Sequence, residues 1–267
     1  MKIPFIKCHA NGNDFILIFA ENFPESDNRE SIIKRLCLRH RGIGADGLFI
    51  ISPSKKNDFL LDYYNSDGSW ETFCANGSRG VSLFMYQSGK AGQKMIFETG
   101  AGVHWSEIKS DTMVVMSMRT PEYKSEELNP EGSAGFFVNS GAHHFVCESD
   151  NLEKEYVFNL GRRIRQHQLF QPMGINVNFY KLGNDGTVEI RTYEKGVEQM
   201  VLSCSSGSTA VVFHLSKSFG LSSPITTTSP GGKLQFTFDK NWEDSTCEGP
   251  AEILYSGEFN YSPLDNA

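Results

Sequence analysis

Two cysteines head closely similar segments, Cys74-Ala75-Asn76-Gly77-Ser78 and Cys204-Ser205-Ser206-Gly207-Ser208. Each C-x-x-G-S runs into a mostly apolar stretch, around Val81 to Met85 and Val211 to Leu215, which reads as a buried helix. A thiol at a helix start faces N–H groups that the helix does not pair internally, and the positive end of its dipole. That setting favours a thiolate and makes a seat for a carboxylate. One such cysteine is most simply a core residue beside helix-capping serines. Two at matching positions point to chemistry. Inverting a stereocentre needs an acid and a base on opposite faces of one carbon, and one thiol from each segment would supply them.

Other polar residues gain meaning beside these thiols. Asn65-Ser66-Asp67-Gly68-Ser69 alone is a turn, but it precedes Cys74 by nine residues, which makes Asn65 a candidate substrate contact. Asn176 and Asn178 alternate along a strand-like run and so share one face. Buried asparagines need hydrogen-bond partners, and a substrate is one source of them. His143 and His144 read simply as surface or capped residues, but a histidine near a thiol could hold it as thiolate. Glu194 and Lys195 are bland if exposed. As site residues, Glu194 would act on a thiol or ammonium group and Lys195 would bind a carboxylate. The glycine-rich run Arg41 to Gly47 lacks both the G-K-[ST] ending of a phosphate loop and the G-x-G-x-x-G of a dinucleotide site. No cofactor is expected, pyridoxal phosphate included.

The elements that must position these residues are themselves written twice. A shift of 130 lays Cys74 over Cys204, Tyr63 over Tyr193, Gly44 over Gly174, Phe49 over Phe179 and Phe15-Ile16 over Phe145-Val146. Short β-rich runs occur at Phe15–Phe19, Leu48–Ile51, Phe59–Tyr64 and Met113–Met118. Asn28 to His40 carries Ile32, Ile33, Leu36 and Cys37 at helical spacing, and Tyr156 to Phe170 occupies the matching place. The most polar break is Pro121 to Ser133, and Leu221 to Gly232 reads as a Ser/Thr/Pro-rich loop. A repeat of this length is too long for a solenoid and implies two duplicated domains.

Composition sets bounds on function. The 267 residues suffice for a core in each half. Charged residues make up 21% and hydrophobic ones 39%, as in ordinary globular proteins. A net charge of −7 argues against nucleic-acid and anionic-membrane surfaces. No apolar run approaches the roughly 18 residues of a membrane-spanning helix. The first residues lack the apolar core of a signal peptide, so a cytoplasmic location is expected. None of the six cysteines forms a C-x-x-C pair, so neither a zinc site nor a thioredoxin motif is expected, and no metal is assigned.

Taken in order, several segments resemble the diaminopimelate epimerase family: Lys7-Cys8-His9-Ala10-Asn11-Gly12-Asn13-Asp14-Phe15, Arg39 to Gly47, Asn65 to Ser69, Cys74 to Gly77, Gly174 to Phe179, Tyr193 to Glu198, Pro230-Gly231-Gly232 and Gly249 to Glu252. The resemblance covers nearly the whole chain and is specific through the number and order of its pieces. It implies an α+β fold of two pseudo-symmetric domains, each a barrel-like sheet wrapped round a central helix, with the active site in the cleft between them. The expected domains are 1–120, completed by a C-terminal strand at about 255–267, and 121–254. The implied activity is cofactor-independent two-base epimerisation of LL- and meso-diaminopimelate, serving lysine and peptidoglycan synthesis, by a cytoplasmic homodimer. Cys74 and Cys204 would be the acid–base pair, with His144 and Glu194 tuning the thiols. Asn13, Asn65, Asn176 and Lys195 would contact substrate, and backbone at Ala75-Asn76 and Ser205-Ser206 would hold the reacting carboxylate.

The chain departs from the family pattern mainly at the substrate's far end. Lys195 stands where arginine is usual, keeping charge but losing the bidentate fork. Ala142 and His143 replace Asn/Ser and Pro, Ser205-Ser206 replaces Gly-Thr or Gly-Ser, Met200 replaces an acid, and Ala75 replaces glycine. Alternatives are therefore a racemase of another amino acid on the same scaffold, or a non-catalytic amino-acid-binding homologue.

Overall fold

The computed structural model describes residues 1–26 and 28–262; positions 263–267 of the expected C-terminal strand lie outside the described residues. The chain forms two compact units, Met1–Met116 with Pro250–Ala267, and Ser117–Gly249. The polar stretch Pro121 to Ser133 falls wholly within the second unit.

In the first unit the strands are β1 (Lys2–Ala10), β2 (Asn13–Phe19), β3 (Gly47–Ser52), β4 (Phe59–Asn65), β5 (Trp70–Glu71), β6 (Lys94–Thr99), β7 (Gly102–Ile108), β8 (Met113–Ser117) and, from the chain's end, β18 (Glu252–Asn260). They lie side by side in the order β18-β1-β2-β3-β4-β6-β7-β8, with the short β5 on the end of β4. Neighbours are antiparallel except β2 with β3 and β4 with β6. Parallel neighbours need a crossover, and the crossovers are helices: α1 (Arg29–Cys37) between β2 and β3, α2 (Ala75–Gln87) between β4 and β6. The antiparallel β1–β2 pair turns at Asn11-Gly12, both at positive φ (52° and 78°), as a tight hairpin requires.

The second unit repeats this plan. Its strands are β9 (Glu122–Tyr123), β10 (Gly135–Asn139), β11 (His143–Glu148), β12 (Asn176–Leu182), β13 (Val188–Glu194), β14 (Gln199–Val201), β15 (Ile225–Ser229), β16 (Gly232–Phe238) and β17 (Ser245–Pro250). Their order is β9-β10-β11-β12-β13-β15-β16-β17, with β14 on the end of β13. Again only the helix-spanned pairs are parallel: α3 (Lys154–Gln166) joins β11 to β12, and α4 (Ser205–Phe219) joins β13 to β15. The shift of 130 seen in the sequence thus maps β7 onto β16 residue for residue, and sets α2 and α4 to start at equivalent positions.

The two helices of each unit differ in their surroundings. α1 is amphipathic: Asn28 caps it by accepting from the Ser31 N–H at 3.2 Å, and only Ile32, Ile33, Leu36 and Cys37 are buried. They pack on Ile16, Ile18, Leu48 and Ile50 of the sheet. Burying each such side chain is worth about 1.5–3 kcal/mol. α2 is buried on every side from Ala75 to Leu83, and α4 almost continuously from Gly207 to Leu215. A helix buried all round must be wrapped, and α2 packs on β1, β2, β7 and β18 while α4 packs on β11, β12, β15 and β16. Each unit is therefore a sheet curled round a central helix. β6, β7 and β16 show the alternating burial of strands with one face inward and one in water.

Candidate active site

Each thiol sits at the N-terminus of a central helix. Cys74 is the N-cap of α2 and Cys204 the N-cap of α4, with nearly identical extended dihedrals (φ −138°, ψ 108° and φ −136°, ψ 107°). Both are half-buried, whereas Cys8, Cys37, Cys147 and Cys247 are buried. Burial pushes the Cys8 and Cys37 thiols up to about 12 and raises Cys147 as well, which makes them inert core residues.

In the first unit a chain of amides leads to the first turn of α2. Asn13 Nδ2 donates to Asp46 at 2.7 Å, and Asn13 Oδ1 accepts from Asn76 Nδ2 at 3.2 Å. The Asn76 and Asn11 carbonyls both accept from Arg79 Nη2 at 2.9 Å. Asp46 and Asp14 are clamped by Arg39, and Asp14 also by the buried Lys7 at 2.7 Å. Burial opposes ionisation of Asp14, but the hydrogen bonds from Arg39 and Lys7 prevail and hold its carboxyl down at about 2. Asp46 is raised by burial and by its neighbour Asp14. The sequence thus brings Asn13 and Asn76 together beside Cys74. Asn65 ends β4, its Oδ1 accepting from Tyr63 Oη at 2.9 Å and its Nδ2 donating to Ser69 at 3.2 Å. Sequence spacing assigned no individual role to Arg39, Asp46 or Arg79; their partners lie 3 to 68 residues away.

In the second unit the residues converge through the parallel β11–β12 pair, where His144 stands opposite Asn176. His144 Nε2 lies 3.0 Å from Ser206 Oγ, and Ser206 Oγ lies 3.5 Å from Cys204 Sγ. The Gly207 N–H also donates to Cys204 Sγ, at 3.4 Å. Ser140 Oγ donates to the Ser206 carbonyl at 2.7 Å and fixes this turn. His144 is fully buried, and burial followed by its neighbour His143 pushes it down to about 3. It is neutral at physiological pH, so it reaches Cys204 by hydrogen bonding through Ser206 and not as a counter-charge. Glu194 is the half-buried last residue of β13. Lys195, in the turn after it, extends its ammonium to the Met173 carbonyl at 3.4 Å. Ser205 is buried and accepts a weak contact from the Cys247 thiol at 3.9 Å.

The asparagines of β12 have hydrogen-bond partners within the protein. Asn176 accepts from the Lys195 backbone N–H at 2.8 Å and donates to the His143 carbonyl at 3.0 Å. Asn178 is fully buried, with Thr192, His144 and the Phe145 carbonyl around it. Neighbouring residues of the protein thus already give both amides partners. The glycine of each C-x-x-G also has a packing role. A Cβ on Gly77 would come within 2.0 Å of the Phe49 ring, and one on Gly207 within 2.2 Å of Asn178 Oδ1. The glycines let each helix start descend onto its sheet, which sequence spacing alone did not reveal.

Comparison with known proteins agrees with this architecture. A family model described as "Diaminopimelate epimerase" matches residues 5–124 and 136–254. The chain is 35% identical over 277 residues to the diaminopimelate epimerase of Aquifex aeolicus, covering 98% of this chain and 99% of that protein. It is 36% identical over 282 residues to that of Archaeoglobus fulgidus, covering 99% of each. Among solved structures, a hydroxyproline epimerase from Agrobacterium vitis, with bound trans-4-hydroxy-L-proline, shares the fold with a TM-score of 0.78 at 14% identity, covering 99% of this chain and 94% of that one. A PhzF-family phenazine biosynthesis protein from Bacillus anthracis does so with a TM-score of 0.74 at 13% identity, covering 98% of this chain and all of that one. With near-complete coverage at this identity, the chain belongs to the diaminopimelate epimerase family and is an isomerase of the amino-acid epimerase and racemase type.

Proposed function

We propose that the protein interconverts LL- and meso-diaminopimelate by two-base proton transfer, with Cys74 and Cys204 as the bases and no cofactor. The observation that carries this reading is a half-buried thiol at the N-cap of the central helix in each of two topologically identical units. One sulfur, as thiolate, takes the α-proton and becomes a thiol. The C–H electron pair moves into the substrate's α-carboxylate as an enolate-like dianion. The other sulfur, as thiol, gives its proton to the opposite face and becomes a thiolate. The stereocentre is inverted and the two sulfurs have exchanged protonation states.

The α-proton of an amino acid is far less acidic than a thiol, so the carbanion must be stabilised. Backbone N–H groups of Ala75-Asn76 and Ser205-Ser206, at the first turns of α2 and α4, would be the donors for the reacting carboxylate. Losing one donor of such a set typically costs about 3 kcal/mol. Asn13, Asn65, Asn176 and Lys195 would bind the remaining polar groups of the substrate. His144 and Glu194 would tune the thiols, and a homodimer in the cytoplasm accompanies this reading.

The test is incubation with LL-diaminopimelate in D2O, followed by mass spectrometry and chiral separation. Deuterium at the α-carbon together with meso product is expected, and no incorporation would sink the proposal. A parallel panel of other amino acids shows whether Lys195 in place of arginine has changed the substrate.

A further inference from the structure

The hydrogen bonds behind Cys204 have a direction, and one residue sets it. The Asn178 side chain is fully buried between β12, β13 and β11. Its Oδ1 accepts from Thr192 Oγ1 at 2.9 Å, and its Nδ2 faces the Phe145 carbonyl at 3.4 Å. A carbonyl only accepts, so the amide nitrogen must be on that side. The same Nδ2 lies 3.0 Å from His144 Nδ1. As Nδ2 can only donate, His144 Nδ1 must be the accepting nitrogen, and the single proton of the neutral ring must sit on Nε2. Nε2–H then donates to Ser206 Oγ at 3.0 Å, which leaves the Ser206 hydroxyl proton to point at Cys204 Sγ, 3.5 Å away.

We propose that Asn178, held by Thr192, is a positioning residue that locks His144 in the Nε2–H tautomer, so that the chain Asn178 to His144 to Ser206 ends as a donor to Cys204 and stabilises its thiolate. The inference rests on the reading of Cys204 as a catalytic base and adds the device that prepares it. With the opposite tautomer, Nε2 would accept the Ser206 proton and Cys204 would lose one donor, keeping the Gly207 N–H at 3.4 Å. Ionisable groups on the elements packed round this chain include His143, beside His144 on β11 and itself facing Lys195 and Lys124, Cys147 on the same strand, Glu194 two residues beyond Thr192 on β13, and Cys247 on β17, which contacts Ser205 at 3.9 Å. Gly207 is part of the same device: the place its Cβ would take is closed by Asn178 Oδ1 at 2.2 Å and Cys204 Sγ at 3.4 Å.

Two measurements on the intact chain test the proposal without any substrate. The first is nitrogen NMR of protein labelled at the histidine rings, with His144→Gln to assign the signal. His144 is expected to show a protonated Nε2 and a bare Nδ1 at pH 7; a protonated Nδ1 or an imidazolium would overturn the inference. The second is the pH profile of iodoacetamide alkylation of Cys204 in a Cys74→Ser background, followed by peptide mass spectrometry. Asn178→Leu, of nearly equal volume, removes the donor that holds His144 Nδ1 as acceptor and is expected to move the midpoint up by about one pH unit, the worth of one hydrogen-bond donor. Thr192→Ser, which keeps the hydroxyl, should leave the midpoint in place. An unshifted midpoint in a folded Asn178→Leu protein would refute the positioning role. Absence of α-deuteration with diaminopimelate would instead refute the epimerase reading and leave both of these results standing.

Discussion

At the residue scale, the two thiols have the same backbone setting and different neighbours. Cys204 receives the Gly207 N–H and stands next to Ser206 and the neutral His144. At the first turn of α2, which Cys74 caps, the hydrogen-bonded polar groups are amide and guanidinium: Asn13, Asn76, Asn11 and Arg79. At the shift of 130, Asp14 lies over His144 but points to Lys7 and Arg39, and Leu48 lies over Asn178. The duplication therefore repeats the thiol and its helix while changing the polar residues around the helix start. If both thiols move protons, Cys74→Ser and Cys204→Ser should each reduce epimerisation by about 10²–10⁴-fold, the usual worth of a general acid or base. Chiral chromatography of product checks this. A variant retaining full turnover would remove its cysteine from the mechanism.

At the element scale, the central helices place the thiols by descending onto the sheet where each C-x-x-G has no side chain. Gly77 faces the Phe49 and Phe15 rings, which pack edge to face at 5.5 Å. Gly207 faces the Asn178 amide. Overpacking such a contact costs about 1–3 kcal/mol. Gly77→Ala is thus expected to lower the urea midpoint by that energy with an unchanged slope, since the Phe49 ring is fully buried and cannot swing away. An unaltered midpoint would show that α2 can rise off the sheet at little cost. The apolar runs that predicted these helices were legible because burial all round is a compositional signal. The glycines were not, because spacing cannot tell a close helix–sheet approach from room left for a ligand.

At the scale of the whole molecule, buried imidazoles tie stability to pH. His144 is pushed down to about 3, and burial pushes His214 down to about 4, from an ordinary 6.5. In the unfolded chain both would charge as pH falls through 6.5, while in the native state they stay neutral. Their contribution is therefore complete above pH 6.5 and drains as pH falls toward about 4 for His214 and about 3 for His144. Each changes stability by at most about 1.4 kcal/mol per pH unit over its window. Asp14, held at about 2, adds stability that is present above the ordinary carboxylate range and lost as pH falls through about 2. Urea midpoints at pH 7.0, 6.2 and 5.5 are expected to fall steadily, above the range in which ordinary carboxylates titrate. A flat series, or one undisturbed by His214→Gln, would contradict the neutral burial of these rings.

The sequence by itself determined the duplication, the α+β class, the central helices and the family. These depend on local pattern: apolar periodicity, matched cysteines at a constant shift, and motifs in a fixed order. It also named Cys74, Cys204, Asn13, Asn76, Asn176 and His144, because each lies in or beside such a motif. Only the tertiary structure decided how the polar residues are used. Asn178 meets His144 across 34 residues of sequence, and Ser206 meets His144 across 62. Such pairings are made by strand register and by the drop of α4 onto β12, and neither leaves a trace in local spacing. The charge state of His144 was decided the same way. A histidine beside a thiol suggests an ion pair, but complete burial makes the charged form costly, and the ring lies between the Asn178 amide and the Ser206 hydroxyl.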